Sequence, residues 1–259
     1  MTAAGGTDLG RAHAAAPWPR RVLAQAGFET RAVLRNGEQL LLTIALPVLV
    51  LVVLARTDVV RLGDGDRLDV AVPGVIALAV LSTAFTSQAI ATGFDRRWGV
   101  LRLLATTPLG RGGLLAGKGL AVLAVEAIQV VLLGGVGIAL GWRPPGPGAV
   151  LAALLVLVLG TAAFVALALV VAGTLRTEAV LAVANLLWVL LAAGGGVLVP
   201  ADVLPDGVAD VVGWLPSGAL GAGLRAAFAG EGLPAAPLLV LAAGTSLGSA
   251  LAARFLRWD

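Results

Sequence analysis

Six separate stretches of about 20 apolar residues dominate this chain, and that pattern limits it more than any single motif does. They run approximately from Leu40 to Ala55, Val70 to Thr92, Leu114 to Leu140, Ala149 to Ala172, Ala179 to Val199 and Ala235 to Ala253. About 20 helical residues at 1.5 Å each cross a bilayer core of ~30 Å. The first stretch is short and borrows residues 37–39 and 57–60 at its ends. Pro47 inside it is tolerable because neighbouring helices can satisfy the freed carbonyl. Only 13% of the 259 residues are charged and 59% are hydrophobic, whereas a soluble domain carries about 25% charge. Too few polar side chains remain to cover a water-facing surface, so most of the outside faces lipid. The sequence predicts an all-α membrane protein of six transmembrane helices, in one domain spanning 1–259.

In such a chain the net charge of +3 is a topology signal, and no nucleic-acid partner is expected. Arg11, Arg20, Arg21, Arg31 and Arg35 precede the first span. Arg96, Arg97, Arg102, Arg111 and Lys118 follow the second, Arg176 the fourth, and Arg254 and Arg257 the sixth. These thirteen face one side. Arg56, Arg61, Arg67, Arg143 and Arg225 face the other, with Asp58, Asp64, Asp66 and Asp69 crowding the first outer loop. The asymmetry predicts both termini in the cytoplasm. Seventeen arginines to one lysine, beside abundant Ala, Gly, Val and Pro, suggest a GC-rich bacterial genome and hence a bacterial inner membrane. Nothing before Leu40 has the continuous apolar run of a signal peptide. Trp142 and Trp258 stand at span ends, where interfacial tryptophans belong. Cysteine is absent, which excludes disulfides, thiolate metal sites and cysteine nucleophiles. His13, the single histidine, lies in the polar tail 1–19, so no His-based zinc site or Ser-His-Asp triad can be assembled.

Two segments are ordered without spanning. Over residues 20–36, Val22, Leu23, Ala26, Thr30, Val33 and Leu34 fall within an arc of roughly 120°. Arg20, Arg21, Gln25, Glu29, Arg31 and Arg35 occupy the rest, with Phe28 the exception. A basic amphipathic helix here is expected in the inner headgroup plane, ahead of a bundle over 37–259; the alternative is a disordered basic tail. The connector from Pro200 to Pro234 is too polar to span. Its Val211, Val212, Trp214, Leu215, Leu220, Leu224 and Phe228 are too apolar for a free loop, so it is expected to fold back as short helices before the sixth span.

The connector between the second and third spans reads Asp95-Arg96-Arg97-Trp98-Gly99-Val100-Leu101-Arg102-Leu103-Leu104-Ala105-Thr106-Thr107-Pro108-Leu109, and reaches Gly117-Lys118. Val100 to Thr106 makes a helix of about two turns, stopped by Pro108 because the residue before proline is pushed out of the helical region. A short, partly apolar helix between basic flanks is expected to seat in a groove on a soluble partner; the alternative is a loop helix packed on its own bundle.

With this pattern the sequence resembles the type-2 ABC exporter permeases, the group that includes daunorubicin-exporter-like and polysaccharide- or lipid-exporter permeases. The resemblance is carried by Asp95, Arg96, Arg97, Gly99, Leu101, Leu104, Thr107, Pro108, Leu109, Gly117 and Lys118, at their place after the second of six spans. Leu215-Pro216-Ser217 with Leu224-Arg225 resembles the family's outer segment. The chain departs from the family at Arg102, often Glu, and at Gly110, often Ser. The resemblance implies an amphipathic elbow helix, a cytoplasmic coupling helix between spans 2 and 3, and a re-entrant segment before span 6. It implies that Asp95, Arg96, Arg97, Gly99, Val100, Leu101, Arg102, Leu104, Thr107 and Pro108 couple to a separate ATPase dimer, which binds the ATP and Mg. It also implies a second permease copy, identical or paralogous, and export of an amphipathic drug-like or lipid-like molecule. Aspartate at Leu101 or Leu104 is then expected to uncouple the two.

Gly112 to Gly119 is one residue short of a Walker A match; Gly119 stands where Ser or Thr must hold Mg²⁺, and no strand precedes it. This chain is therefore expected to hold no cofactor and to be no enzyme by itself, with Lys118 snorkelling at the inner end of the third span. GxxxG spacings at Gly113/Gly117, Gly137/Gly141 and Gly244/Gly248 favour close packing without naming a dimer face. Gly194-Gly195-Gly196 is a hinge or a helix break. Glu126 is the one acid well inside a span, and Gln129 shares its face. It either lines a pathway or pairs internally, with Arg102 or a helix-borne hydroxyl. Ser82, Thr83, Thr86, Ser87 and Gln88 in the second span, and Asn185 and Trp188 in the fifth, either glue helices or line the route that relatives place between those spans. The alternative function is a proton-coupled secondary transporter using Glu126. An intramembrane enzyme lacks His, Cys and paired carboxylates, and a channel would need more polar lining.

Overall fold

The computed structural model describes residues 16–58, 60, 62–63, 66–144, 146–205 and 207–255. Arg11, His13, Arg61, Asp64, Arg257 and Trp258, which entered the expectations above, lie outside the described residues. Among the described residues all regular structure is helical. The helices are α1 (Trp18–Leu34), α2 (Gly37–Arg56), α3 (Arg67–Arg97), α4 (Val100–Ala105), α5 (Gly110–Leu140) and α6 (Pro147–Thr174). They continue with α7 (Thr177–Gly194), α8 (Val208–Gly213), α9 (Pro216–Phe228) and α10 (Ala235–Phe255). Six of them, α2, α3, α5, α6, α7 and α10, are long and apolar enough to cross a membrane.

Local chemistry sets the ends of these helices. The Asp66 carboxylate accepts the Leu68 N–H at 2.9 Å and caps α3. Pro147 and Pro216 occupy the first turns of α6 and α9, where a missing N–H costs nothing. The fifth span ends at Gly194, not at Val199: the chain leaves the helix at Gly195, and Gly196 sits at φ +76°. That left-handed backbone breaks the helix, because only glycine takes it without strain.

Small residues decide which helices touch, since lipid tails offer no hydrophobic reward for bringing two spans together. Helices α3 and α6 form the centre: the hydrophobic window of α3 is 78% buried and that of α10 only 11%. Phe85 of α3 and Phe164 of α6 meet with centroids 6.4 Å apart. Helices α2, α5, α7 and α9 pack on α3, and α9 and α10 pack on α6. A Cβ on Gly160 would lie 2.6 Å from the Leu220 side chain, and one on Gly248 would lie 2.9 Å from Ala166. Gly113 and Gly117 likewise seat Trp18 and Gln25 of α1. The GxxxG spacings thus serve contacts within the subunit, except Gly141, which ends α5 in a left-handed turn at φ +110°.

The connector before α10 forms a 3-10 turn at Ala201–Val203 and helices α8 and α9. Leu220, Leu224 and Ala227 are buried. The Arg225 guanidinium donates to the carbonyls of Gly196 at 2.8 Å and Val197 at 3.0 Å, tying α9 to the broken end of α7. Trp142 is 6% exposed and stands edge-on to Phe228, so it packs under α9 and not at a lipid interface. A Cβ on Gly218 would lie 2.1 Å from the Val212 carbonyl oxygen, backbone that cannot step aside. Gly218→Val is therefore expected to cost about 3 kcal/mol or more, read as a lowered melting temperature in detergent. Gly213→Ala, with nothing within 4 Å of its Cβ, is the control expected to leave the melt in place.

Candidate functional site

At one end of the bundle the chain turns from α3 into α4 through Gly99, left-handed at φ +73°. Helix α4 runs six residues and closes on its own hydroxyls. Thr106 donates to the Leu103 carbonyl at 2.7 Å, and Thr107 to that of Leu104 at 2.6 Å. At 3.6 residues per turn, Leu101 and Leu104 fall on one face and Arg102, Leu103 and Thr106 on the other. The first face is turned inward. Leu101 is 2% exposed and packs with Val22, Leu109 and Leu114, and Leu104 packs against this small core. The Arg21 guanidinium donates to the Pro108 carbonyl, fastening α1 to the end of the same turn.

The charged residues before α4 are also engaged within the chain. Lys118 is 4% exposed; its Nζ lies 2.8 Å from Asp95 Oδ2 and 3.2 Å from Glu29 Oε1. It therefore clamps α5 to α3 and α1 and does not snorkel. Glu29 and Gln25, on the polar side of the wheel, turn inward because Lys118 supplies a partner that outweighs their desolvation, and Gln25 donates to Glu29 at 2.7 Å. Leu23 and Phe28 are exposed in their place. Arg96 donates to the Leu175 carbonyl, Arg97 pairs with Glu178, and the Thr177 hydroxyl donates to the Gly93 carbonyl at 3.0 Å. These three contacts hold α3 to the turn between α6 and α7.

What remains uncovered is an apolar pair beside a cation. Trp98 is 71% exposed and tilted against Phe94 with centroids 5.1 Å apart, and Leu103 is 68% exposed, on the same side of α4 as the exposed Arg102 and Thr106. The sequence reading passed over Trp98 and Leu103. The signal was present: a tryptophan between an Arg pair and a glycine, and a leucine on the opposite face from Leu101.

A second polar group lies deep among the spans. Helices α2 and α3 each contain a π-helical segment, Leu41–Ala45 and Leu81–Ser87, a form that tends to mark functional positions. Gln129 of α5 joins the two: its Nε2 donates to the Thr43 carbonyl at 2.6 Å and to the Thr83 hydroxyl at 3.0 Å. The Trp188 indole donates to Ser82 Oγ at 2.8 Å, linking α7 to the same stretch of α3. Glu126 is 1% exposed, with Oε2 2.5 Å from the Thr161 hydroxyl. That hydroxyl has one proton and also lies 2.8 Å from the Leu157 carbonyl, so both contacts are satisfied together when the carboxyl is a donor. The partner of Glu126 is thus a hydroxyl of α6, and Arg102 lies exposed elsewhere. Thr161 was missed, although it is the one polar side chain in the middle of the fourth span. Thr86 Oγ1 and Glu126 Oε1 are buried without partners among the described residues. Asn185 does not join this group: it is exposed on α7 and donates to its own Leu181 carbonyl at 2.9 Å.

Compared with known proteins, residues 67–254 match the model of a family described as "ABC-2 family transporter protein". None of the curated proteins matches the chain.

Proposed function

Because the chain belongs to the ABC-2 family of transporters and is the transmembrane component of an ABC transporter, we propose that it is the permease of an ATP-driven exporter for an amphipathic drug-like or lipid-like molecule. The observation that supports this most is the uncovered Trp98–Arg102–Leu103 face. A short helix pinned to the bundle by Leu101 and Leu104 offers Arg102 and Leu103 outward, and the turn before it offers Trp98; tryptophan and arginine are types enriched among interface anchors. In this reading a separate ATPase dimer grips that face and binds the ATP and Mg. Its closure drives two permease copies, identical or paralogous, between inward- and outward-open states.

The cation count then sets the orientation. The α4 end is cytoplasmic in a bacterial inner membrane, with both termini on that side. Helix α1 is the elbow in the headgroup layer, with Leu23 toward lipid, and α8 and α9 dip into the outer leaflet. The polar group around Ser82, Thr83, Thr86, Glu126, Gln129 and Trp188 is the pathway candidate of each subunit. Asn185 faces away from this group and reaches a pathway only between two copies. Glu126, with one oxygen unpartnered among the described residues, also supports a proton-coupled secondary transporter.

Purifying the chain alone, and together with the ATPase that co-purifies with it from its native host, separates the two readings. Export predicts no ATP hydrolysis by the chain alone, hydrolysis by the complex, and transport that persists when the proton gradient is dissipated. Transport lost with the gradient while ATP remains would overturn it.

A further inference from the structure

Between α1 and the ends of α3, α4 and α5 lies a cavity of about 480 Å³. Phe28, Val122 and Leu104 make part of its wall apolar, and the charged residues among its lining are Glu29, Asp95 and Lys118. One cation between two acids leaves the cavity one negative charge in excess. Lys118 and Gln25 occupy Glu29 Oε1, and Lys118 occupies Asp95 Oδ2. The second oxygen of each carboxylate takes no donor among the described residues. An independent observation points the same way. Gln88 is 6% exposed and lines this cavity, yet its carboxamide forms no hydrogen bond among the described residues. Its oxygen and the second oxygen of each carboxylate make three acceptors open to the cavity around its excess negative charge, the set that an N–H-bearing cation fills.

We propose that this cavity binds a monocationic amphiphile, its ammonium group held by Glu29, Asp95 and Gln88 and its apolar body laid along Phe28 and Val122. The bound cation neutralises the excess charge while Lys118 keeps both of its pairs. The site is complete in one subunit and needs no ATPase, so its test stands apart from the export reading.

The probe is 1-naphthylmethylammonium, titrated by fluorescence onto the full chain in phosphatidylcholine nanodiscs. Its N-acetyl derivative has the same apolar body and no charge. The amine is expected to bind saturably at one site per chain, and the amide about tenfold more weakly or worse. Glu29→Gln removes the excess charge and is expected to weaken the amine about tenfold while leaving the amide unchanged. Gln88→Leu, which breaks no bond within the protein, is expected to act in the same direction and keeps the proposal testable if Glu29→Gln does not fold. Equal binding of amine and amide, or amine binding indifferent to both substitutions, overturns it.

Discussion

Replacing Trp98 and Leu103 together with aspartate is expected to release the ATPase while leaving the membrane domain folded. Both side chains are about 70% exposed, so the substitutions remove nothing that holds the bundle. Buried anchors of this kind contribute about 2 kcal/mol or more each at an interface. Losing two therefore weakens association roughly several hundredfold, and ATPase retention on the immobilised permease reads the effect directly. The contrast lies two residues away on the helix. Leu101→Asp places a charge in the small core of Val22, Leu109 and Leu114, and is expected to lower the melting temperature of the permease itself. Leu101, expected from the sequence to meet a partner, is buried in the fold and holds α4 against α1 and α5.

A second large effect is expected at Lys118. Lys118→Met leaves Glu29 and Asp95 facing each other without the cation between them, at side-chain exposures of 17% and 27%. Removing one partner from a mostly buried ionic cluster costs about 3 kcal/mol or more, because the remaining charges stay desolvated and here also repel. The triple change Glu29→Gln, Asp95→Asn and Lys118→Met removes all three charges and is expected to recover most of that loss. Thermal unfolding of the three proteins in one detergent measures both outcomes. A triple variant no better than Lys118→Met would mean that the lysine acts through its packing and not its charge.

The spans were legible because apolar runs of membrane length have few alternative folds: four of the six ends fall within two residues of the expected positions, and the second helix runs on from Thr92 to Arg97. The end at Gly194 was not legible, since Val197 to Val199 are as apolar as the helix before them and only backbone conformation separates them. The amphipathic wheel of α1 was legible as a pattern, but the partners of its polar residues were not. Glu29 is polar in isolation and becomes interior only because Lys118, 89 residues later in the chain, waits for it. Long-range partners of this kind leave no local trace. The same holds for Gln129, whose acceptors sit on two other helices, and for Thr161 opposite Glu126. The α4 helix was placed correctly by its glycine and proline borders, while the choice of its outward face needed the small core to be seen.

The most direct test of the docking face uses the absence of cysteine from the chain. In Leu103→Cys the introduced thiol is the only one in the permease, and a short bifunctional maleimide in inverted membrane vesicles reports what lies against it. The account predicts one cross-linked band containing permease and ATPase, absent when cysteine stands instead at Leu101. A thiol at position 103 that reacts with impermeant reagent from outside intact cells, or that yields no ATPase adduct in a coupled, transporting complex, would contradict it.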